Sequence, residues 1–236
     1  SNVDTSIEGI YYVTYTVTDD AGNEKVITRK VVVSNTIEYR HESLYFKDSV
    51  TAGDYIVVVG QFNESNPFGL QTNGMVDAFV AVFDLDMNLQ WADNIGWADY
   101  DYAQNVLFDG EFIYVIGTTH EPALQDQDVF INKYSLSGEL IDEMSFGGEW
   151  QESVFDAFIN SNNEIVLMGR SNSTQDDFAV RSGSHYEVYI AEISLDLTVN
   201  DLYIHISADN VYVNSIIENG DGNYVFTGSS YFSGVN

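Results

Sequence analysis

The chain has no cysteine, only 2 prolines and only 8 basic residues in 236 positions. Without cysteine there are no disulfides, no thiolate metal sites and no thiol nucleophile, although an extracellular home stays open. Against those 8 basic residues stand 37 acidic ones, a net charge of −29. Such a field repels phosphate backbones and anionic lipid, so nucleic acid is not expected as a partner. No apolar run approaches the roughly 18 residues that a membrane-spanning helix needs, so no membrane insertion is expected within this segment. No charged-then-apolar leader opens the chain and it begins on Ser1 rather than Met, which reads as a fragment of a longer polypeptide. The acidity has a plain reading, the solubility of a secreted or halotolerant protein, and a sharper one, cation binding.

What is present points to strands. The 18 glycines suit tight turns, and 44% hydrophobic with 14% aromatic residues is enough to fill a core. One stretch organises the rest: VDAFVAVFD over Val76–Asp84 comes back as DVFINKYS over Asp128–Ser135 and EVYIAEIS over Glu187–Ser194. A second landmark recurs beside it, an apolar run ending in Gly60, Gly117, Gly169 and Gly228. From Phe79, Phe130 and Tyr189 to the next such glycine is 38, 39 and 39 positions, whereas the way back from glycine to aromatic takes 19, 13 and 20. One half of the repeat is fixed in length and the other is free.

Four strand signals fall in each unit. The first two are joined by turns at Ala52-Gly53-Asp54, Asp109-Gly110-Glu111, Asn162-Asn163-Glu164 and Gly220-Asp221-Gly222, the residue types that accept positive φ in a tight hairpin. The third strand is apolar on both faces, Phe79/Ala81/Phe83 against Ala78/Val80/Val82, so both faces must be covered. Four short strands, a sheet covered on both sides and a period near 50 residues predict propeller blades. The expected fold is therefore all-β: a partial β-propeller of four-stranded antiparallel blades, three complete and a fourth that stops at Val235-Asn236, over residues 35–236. Residues 1–34 differ in texture. Tyr11, Val13, Tyr15 and Val17 alternate with polar neighbours, a turn follows at Asp19–Asn23, and a second strand runs to about Val33.

The first segment resembles the closing strands of bacterial immunoglobulin-like surface domains, through Val3-Asp4-Thr5, Gly9, the Tyr/Val/Thr alternation, Asp19, Gly22-Asn23 and Arg29. Residues 43–236 resemble the bacterial β-propeller repeat of secreted and surface proteins. Asp109-Gly110, Tyr114, Gly117-Thr118, Asp128, Phe130, Lys133, Gly138 and Gly147-Gly148 carry that likeness, and the other units depart from it. Val82 and Glu192 stand where Lys133 does, and Ile95-Gly96 or Ser207-Ala208 replace the closing glycines. These resemblances imply an extracellular or cell-surface protein with a binding or scaffold role and no fixed catalytic residue.

With the first strand innermost, the second-to-third and fourth-to-first connections share one face of the ring, and function concentrates on such loops. That face collects Trp97, Asp99, Tyr100, Asp101, Tyr102, Glu149, Trp150 and Glu152, and aromatic platforms flanked by carboxylates suit sugar rings or cations. The plainer reading makes the aromatics wedges between blades and the acids solvated turn residues. Asp84-x-Asp86-x-Asn88 imitates the opening of a calcium loop, but Leu89 and Ile95 stand where the helix–loop–helix version needs Gly and Glu, so a hairpin turn is expected and calcium is the minority reading. Otherwise no cofactor or metal site is expected. His41, His120, His185 and His205 are scattered singly, and no G-x-S-x-G elbow occurs. The leading expectation is a non-catalytic module that presents an acidic, aromatic face to a glycan or protein. The alternative is a propeller glycoside hydrolase or polysaccharide lyase using paired carboxylates on that face.

Overall fold

The computed structural model describes residues 3, 7, 9–33, 43–64, 66, 68–97, 99–121, 126–178, 186–205 and 211–230. His41, His185, residues 179–185 of the connection between Arg170 and Tyr186, the Ser207-Ala208 pair and the Val235-Asn236 end lie outside these residues. The chain divides into two compact units, residues 1–40 and 41–236.

The first unit holds a hairpin, β1 (Gly9–Thr18) paired antiparallel with β2 (Glu24–Val33) from Gly9↔Val33 to Thr18↔Glu24. Its turn is closed by Asp19, whose Oδ1 accepts the N–H groups of Ala21 and Asn23 at 2.9 and 2.8 Å.

The second unit is all-β. Its first blade is β3 (Leu44–Ala52), β4 (Tyr55–Phe62), β5 (Asp77–Asp84) and β6 (Leu89–Ile95), hydrogen-bonded in that order. The second is β7 (Asp101–Phe108), β8 (Phe112–Glu121), β9 (Asp126–Ser135) and β10 (Leu140–Phe146). The third is β11 (Glu152–Ile159), β12 (Glu164–Ser171), β13 (Glu187–Ser194) and β14 (Val199–His205). A fourth sheet begins with β15 (Val211–Glu218) and β16 (Tyr224–Ser230). Every pairing within these sheets is antiparallel, and the strands are those the repeat predicts. The predicted hairpin turns also form: Gly110 sits at φ 103° and Asn163 at φ 60°.

The third strands carry the cores. All residues from Asp77 to Phe83 are buried. Ala78, Val80 and Val82 face the second blade, meeting Val106, Ile113 and Val115, while Phe79, Ala81 and Phe83 pack with Leu44 and Phe62 on the other side. Between the second and third blades Ile116, Val129 and Ile131 meet Val154, Leu167 and Tyr189. Between the third blade and the fourth sheet Val166, Met168 and Val188 meet Val213 and Ile216. Blades stacked face to face explain why neither face of the third strand is polar. This is a partial propeller.

The two sequence landmarks are cross-strand partners. Gly60 pairs with Phe79, Gly117 with Phe130 and Gly169 with Tyr189. Opposite each glycine the first strand bulges at Lys47, Gln104, Phe155 and Asn214, which pushes a carbonyl of Tyr45, Tyr102, Ser153 or Tyr212 into the space a Cβ would occupy. The glycine is needed because two backbones meet there, joined at Gly117 and Gly169 by an aromatic ring.

The first strands lie against one another and so are innermost. Asp48 on β3 accepts the N–H of Val106 at 2.9 Å, and Asp156 on β11 accepts that of Ile216 at 2.9 Å and the hydroxyl of Ser215 at 2.7 Å. At the seam between second and third blades Asn105 takes this place, and its Oδ1 has no hydrogen-bond partner among the described residues.

Candidate functional site

Among the described residues two pairs of the connections expected to share a face are joined by short parallel bridges, Val76 to Tyr100 and Gln127 to Gln151. Each ties the start of a third strand to the start of the next blade's first strand.

Beneath these bridges the acidic residue that opens each third strand meets the acidic residue that opens the next blade. Asp77 faces Asp101 across Gly96, and Asp128 faces Glu152 across Gly147, where a Cβ on either glycine would strike both carboxylates. Both pairs are 24 positions apart in the sequence. Asp77, Asp101 and Glu152 are fully buried. Asp101 accepts the N–H of Trp97 at 2.7 Å. Burial raises its pKa above the usual aspartate range and the charge of Asp77 adds to this, opposed by hydrogen bonds from Thr119 and the Trp97 backbone. Glu152 accepts the N–H of Gly148 at 2.9 Å and the hydroxyl of Ser171. These two carboxylates clasp blade junctions from within.

Glu149 is also engaged. Its carboxylate accepts the backbone N–H of Thr174 (3.0 Å), the hydroxyl of Thr174 (2.6 Å) and the N–H of Gln175 (2.9 Å). Partial burial works to raise its pKa, but these hydrogen bonds outweigh it and bring the value from 4.5 down to about 2. A depressed carboxylate stabilises the fold above its ordinary range and loses that contribution as pH falls through its folded pKa. Glu149→Gln should therefore lower stability at pH 7 by about 1 kcal/mol, the size of one net hydrogen bond after solvent screening. Urea titrations should show the gap narrowing below pH 4.5 and closing near pH 2; a gap independent of pH would contradict this account.

Asp99 pairs with His120, Oδ2 to Nδ1 2.8 Å, out of line for a hydrogen bond, and its carbonyl accepts the N–H groups of Met75 and Val76. The aromatic members are the open ones. Trp97 is 48% exposed and leans on Phe130, with ring centroids 6.3 Å apart; Trp150 is 50% exposed. Tyr100 and Tyr102 stack at 6.4 Å with an interplanar angle of 15°. The loop of Trp150 is fixed by its N–H to Ser173 Oγ, 2.9 Å, and by its carbonyl, which accepts from Gln127 at 2.9 Å.

The calcium-like triplet closes the β5–β6 turn. Asp84 Oδ1 accepts the N–H groups of Asp86 (3.0 Å) and Asn88 (2.8 Å), and the Asn88 side-chain amide donates to Asp84 Oδ2 at 2.9 Å. An amide turned to donate is oriented opposite to a cation ligand. Met87 takes φ 63° there.

A cavity of about 500 Å³ lies near the inner strands, and Tyr102 is the one predicted residue that lines it. Its other walls include Lys47, Gln61, Gln104, Thr118 and Arg170, none of which was expected as a site residue, although Thr118 belongs to the propeller-repeat likeness. The signal was present: a polar residue directly after each recurring glycine.

A family model described as the bacterial surface protein Ig-like domain matches residues 1–33. No curated protein matches the chain. Among solved structures the chain is similar to a GH32 β-fructofuranosidase of Bombyx mori, a mutant in complex with sucrose, at 10% identity and a TM-score of 0.40, over 94% of this chain and 52% of that one. The chain thus spans about half the length of that enzyme. One expectation is corrected here. The structure it is similar to is a glycoside hydrolase, so the assignment of the chain as a non-enzyme does not stand. Its basis was the repeat likeness, which implies no fixed catalytic residue, and an excess of 37 acids among which some carboxylate pair can always be drawn; neither excludes carboxylates that folding brings together, as it does Asp128 and Glu152. A likeness of this depth assigns no activity either. Among the described residues no helix is long and apolar enough to cross a membrane.

Proposed function

We propose that this is part of a bacterial surface protein whose propeller unit, a member of the bacterial propeller-repeat family, presents its loop-bearing face to a glycan. The observation that carries the reading is a pair of half-exposed tryptophans, Trp97 and Trp150, on hydrogen-bonded turns at successive blade junctions. Exposed indoles held on rigid turns cost little ordering on binding and offer flat apolar faces to sugar rings. The stacked Tyr100–Tyr102 pair extends that platform. The Ig-like segment at residues 1–33 supports a cell-surface setting.

Trp97→Ala and Trp150→Ala should each weaken binding of the recognised oligosaccharide roughly tenfold or more, as central aromatic contacts do, with the melting temperature nearly unchanged. Calorimetric titration and thermal unfolding read both quantities. A lowered melting temperature with intact affinity would show that the indoles wedge blades together. Release of reducing ends from the bound oligosaccharide, measured alongside, decides whether the face also cleaves what it holds.

A further inference from the structure

The cavity is built from equivalent positions of three blades. Gln61, Thr118 and Arg170 follow the recurring glycines, and Lys47, Gln104 and Phe155 are the bulge residues of the inner strands. Its charge is the reverse of the chain's. Against 37 acidic and 8 basic residues overall, no carboxylate lines it, while Lys47 and Arg170 do. The other described cation of this unit, Lys133, is engaged elsewhere, donating to the carbonyl of Leu195 at 2.8 Å over the ring of Phe112.

Arg170 is held in place by aromatic rings. Its guanidinium carbon lies 4.4 Å from the ring centroid of Tyr186, 5.2 Å from Tyr212 and 5.4 Å from Phe155. Stacking fixes the planar group and leaves its N–H donors for another partner. Its Nε is buried with no hydrogen-bond partner among the described residues. The ion pair found among those residues is His120 with Asp99, so no described carboxylate answers Arg170 or Lys47.

We propose that this cavity binds the carboxylate of an acidic sugar, a hexuronate unit within an oligosaccharide. The inference rests on the glycan-binding reading and names the class of sugar. A guanidinium presents paired donors that match a carboxylate, and Lys47 adds a second positive charge. Gln61, Gln104 and Thr118 supply the mixed donors and acceptors that sugar hydroxyls need, and Tyr102 and Phe155 supply ring faces. The chain's overall negative charge does not forbid an anion here, because at physiological ionic strength exposed charges are screened beyond about 8 Å.

The test compares tetragalacturonate with its carboxyl-reduced, neutral counterpart by calorimetric titration of the intact protein. The acidic form should bind at least about tenfold tighter. Arg170→Gln should remove most of that preference, a loss of roughly tenfold or more, as expected for a charge-assisted pair, and leave the neutral form unaffected. Lys47 is exposed, so Lys47→Gln leaves the packing alone, and a threefold to tenfold loss for the acidic form alone is expected from it. It decides the matter if Arg170→Gln unfolds. Equal affinity for both forms, unchanged by either substitution, overturns the inference and leaves the glycan-binding reading standing. If neither form nor any neutral glycan binds, both readings fall. Tight binding of an acidic peptide with no binding of the hexuronate overturns the sugar assignment.

Discussion

Gly117→Ala should lower the melting temperature by roughly 6–12 °C, the equivalent of about 3 kcal/mol in a domain of this size. The added methyl would overlap the carbonyl of Tyr102 and the ring of Phe130. A long side chain could swing aside, but the Tyr102 carbonyl belongs to an inner strand held between neighbouring blades. The effect is steric, since Gly117 is not among the residues with positive φ. Gly53, at φ 62° with open space around its missing Cβ, is the contrast: alanine there costs only turn strain. Thermal unfolding of both variants side by side checks this. If Gly117→Ala proved as mild as Gly53→Ala, the bulge opposite the glycine would have to be a soft feature.

Tyr189→Ala should cost about 3–5 kcal/mol and Tyr189→Phe only about 1 kcal/mol. The ring is fully buried and meets Phe178 and Phe146 edge to face, with centroids 5.3 and 6.0 Å away. Its hydroxyl donates to the carbonyl of Ser153 at 3.1 Å. The pair of substitutions separates the two contributions: alanine empties the seam between second and third blades, whereas phenylalanine keeps the packing and drops one hydrogen bond. Denaturant midpoints that fell equally for both would mean that the hydroxyl, not the ring, holds the seam.

Much of the fold was legible because it repeats. The period, the turn residues and the two-faced apolar third strand each leave a local pattern, and the blades formed where those patterns lay. The meaning of the landmarks was not legible. That Gly117 and Phe130 are partners across a pair of strands depends on the register of β8 against β9, which no local pattern in either strand states. The acids misled for a related reason. In a chain of net charge −29 an aspartate reads as surface, yet Asp101 and Glu152 lie at 0% exposure. Only their constant distance from Asp77 and Asp128, with a glycine between, marked them as interior. Arg170 and Lys47 were overlooked because single cations carry no motif, and their convergence appears only once three blades are set around one axis.

The buried clasps also explain the uneven spacing of the repeat. The stretch of fixed length, from the aromatic of one blade to the glycine of the next, crosses the seam where Asp77 meets Asp101 and Asp128 meets Glu152. A residue added or removed there would slide a strand against a closed junction and turn its apolar face outward. The stretch of variable length crosses no such junction. Duplication and drift can therefore lengthen or recolour the exposed segment of each blade while the joint between blades is copied whole, so that recognition diversifies on a frame whose geometry stays the same.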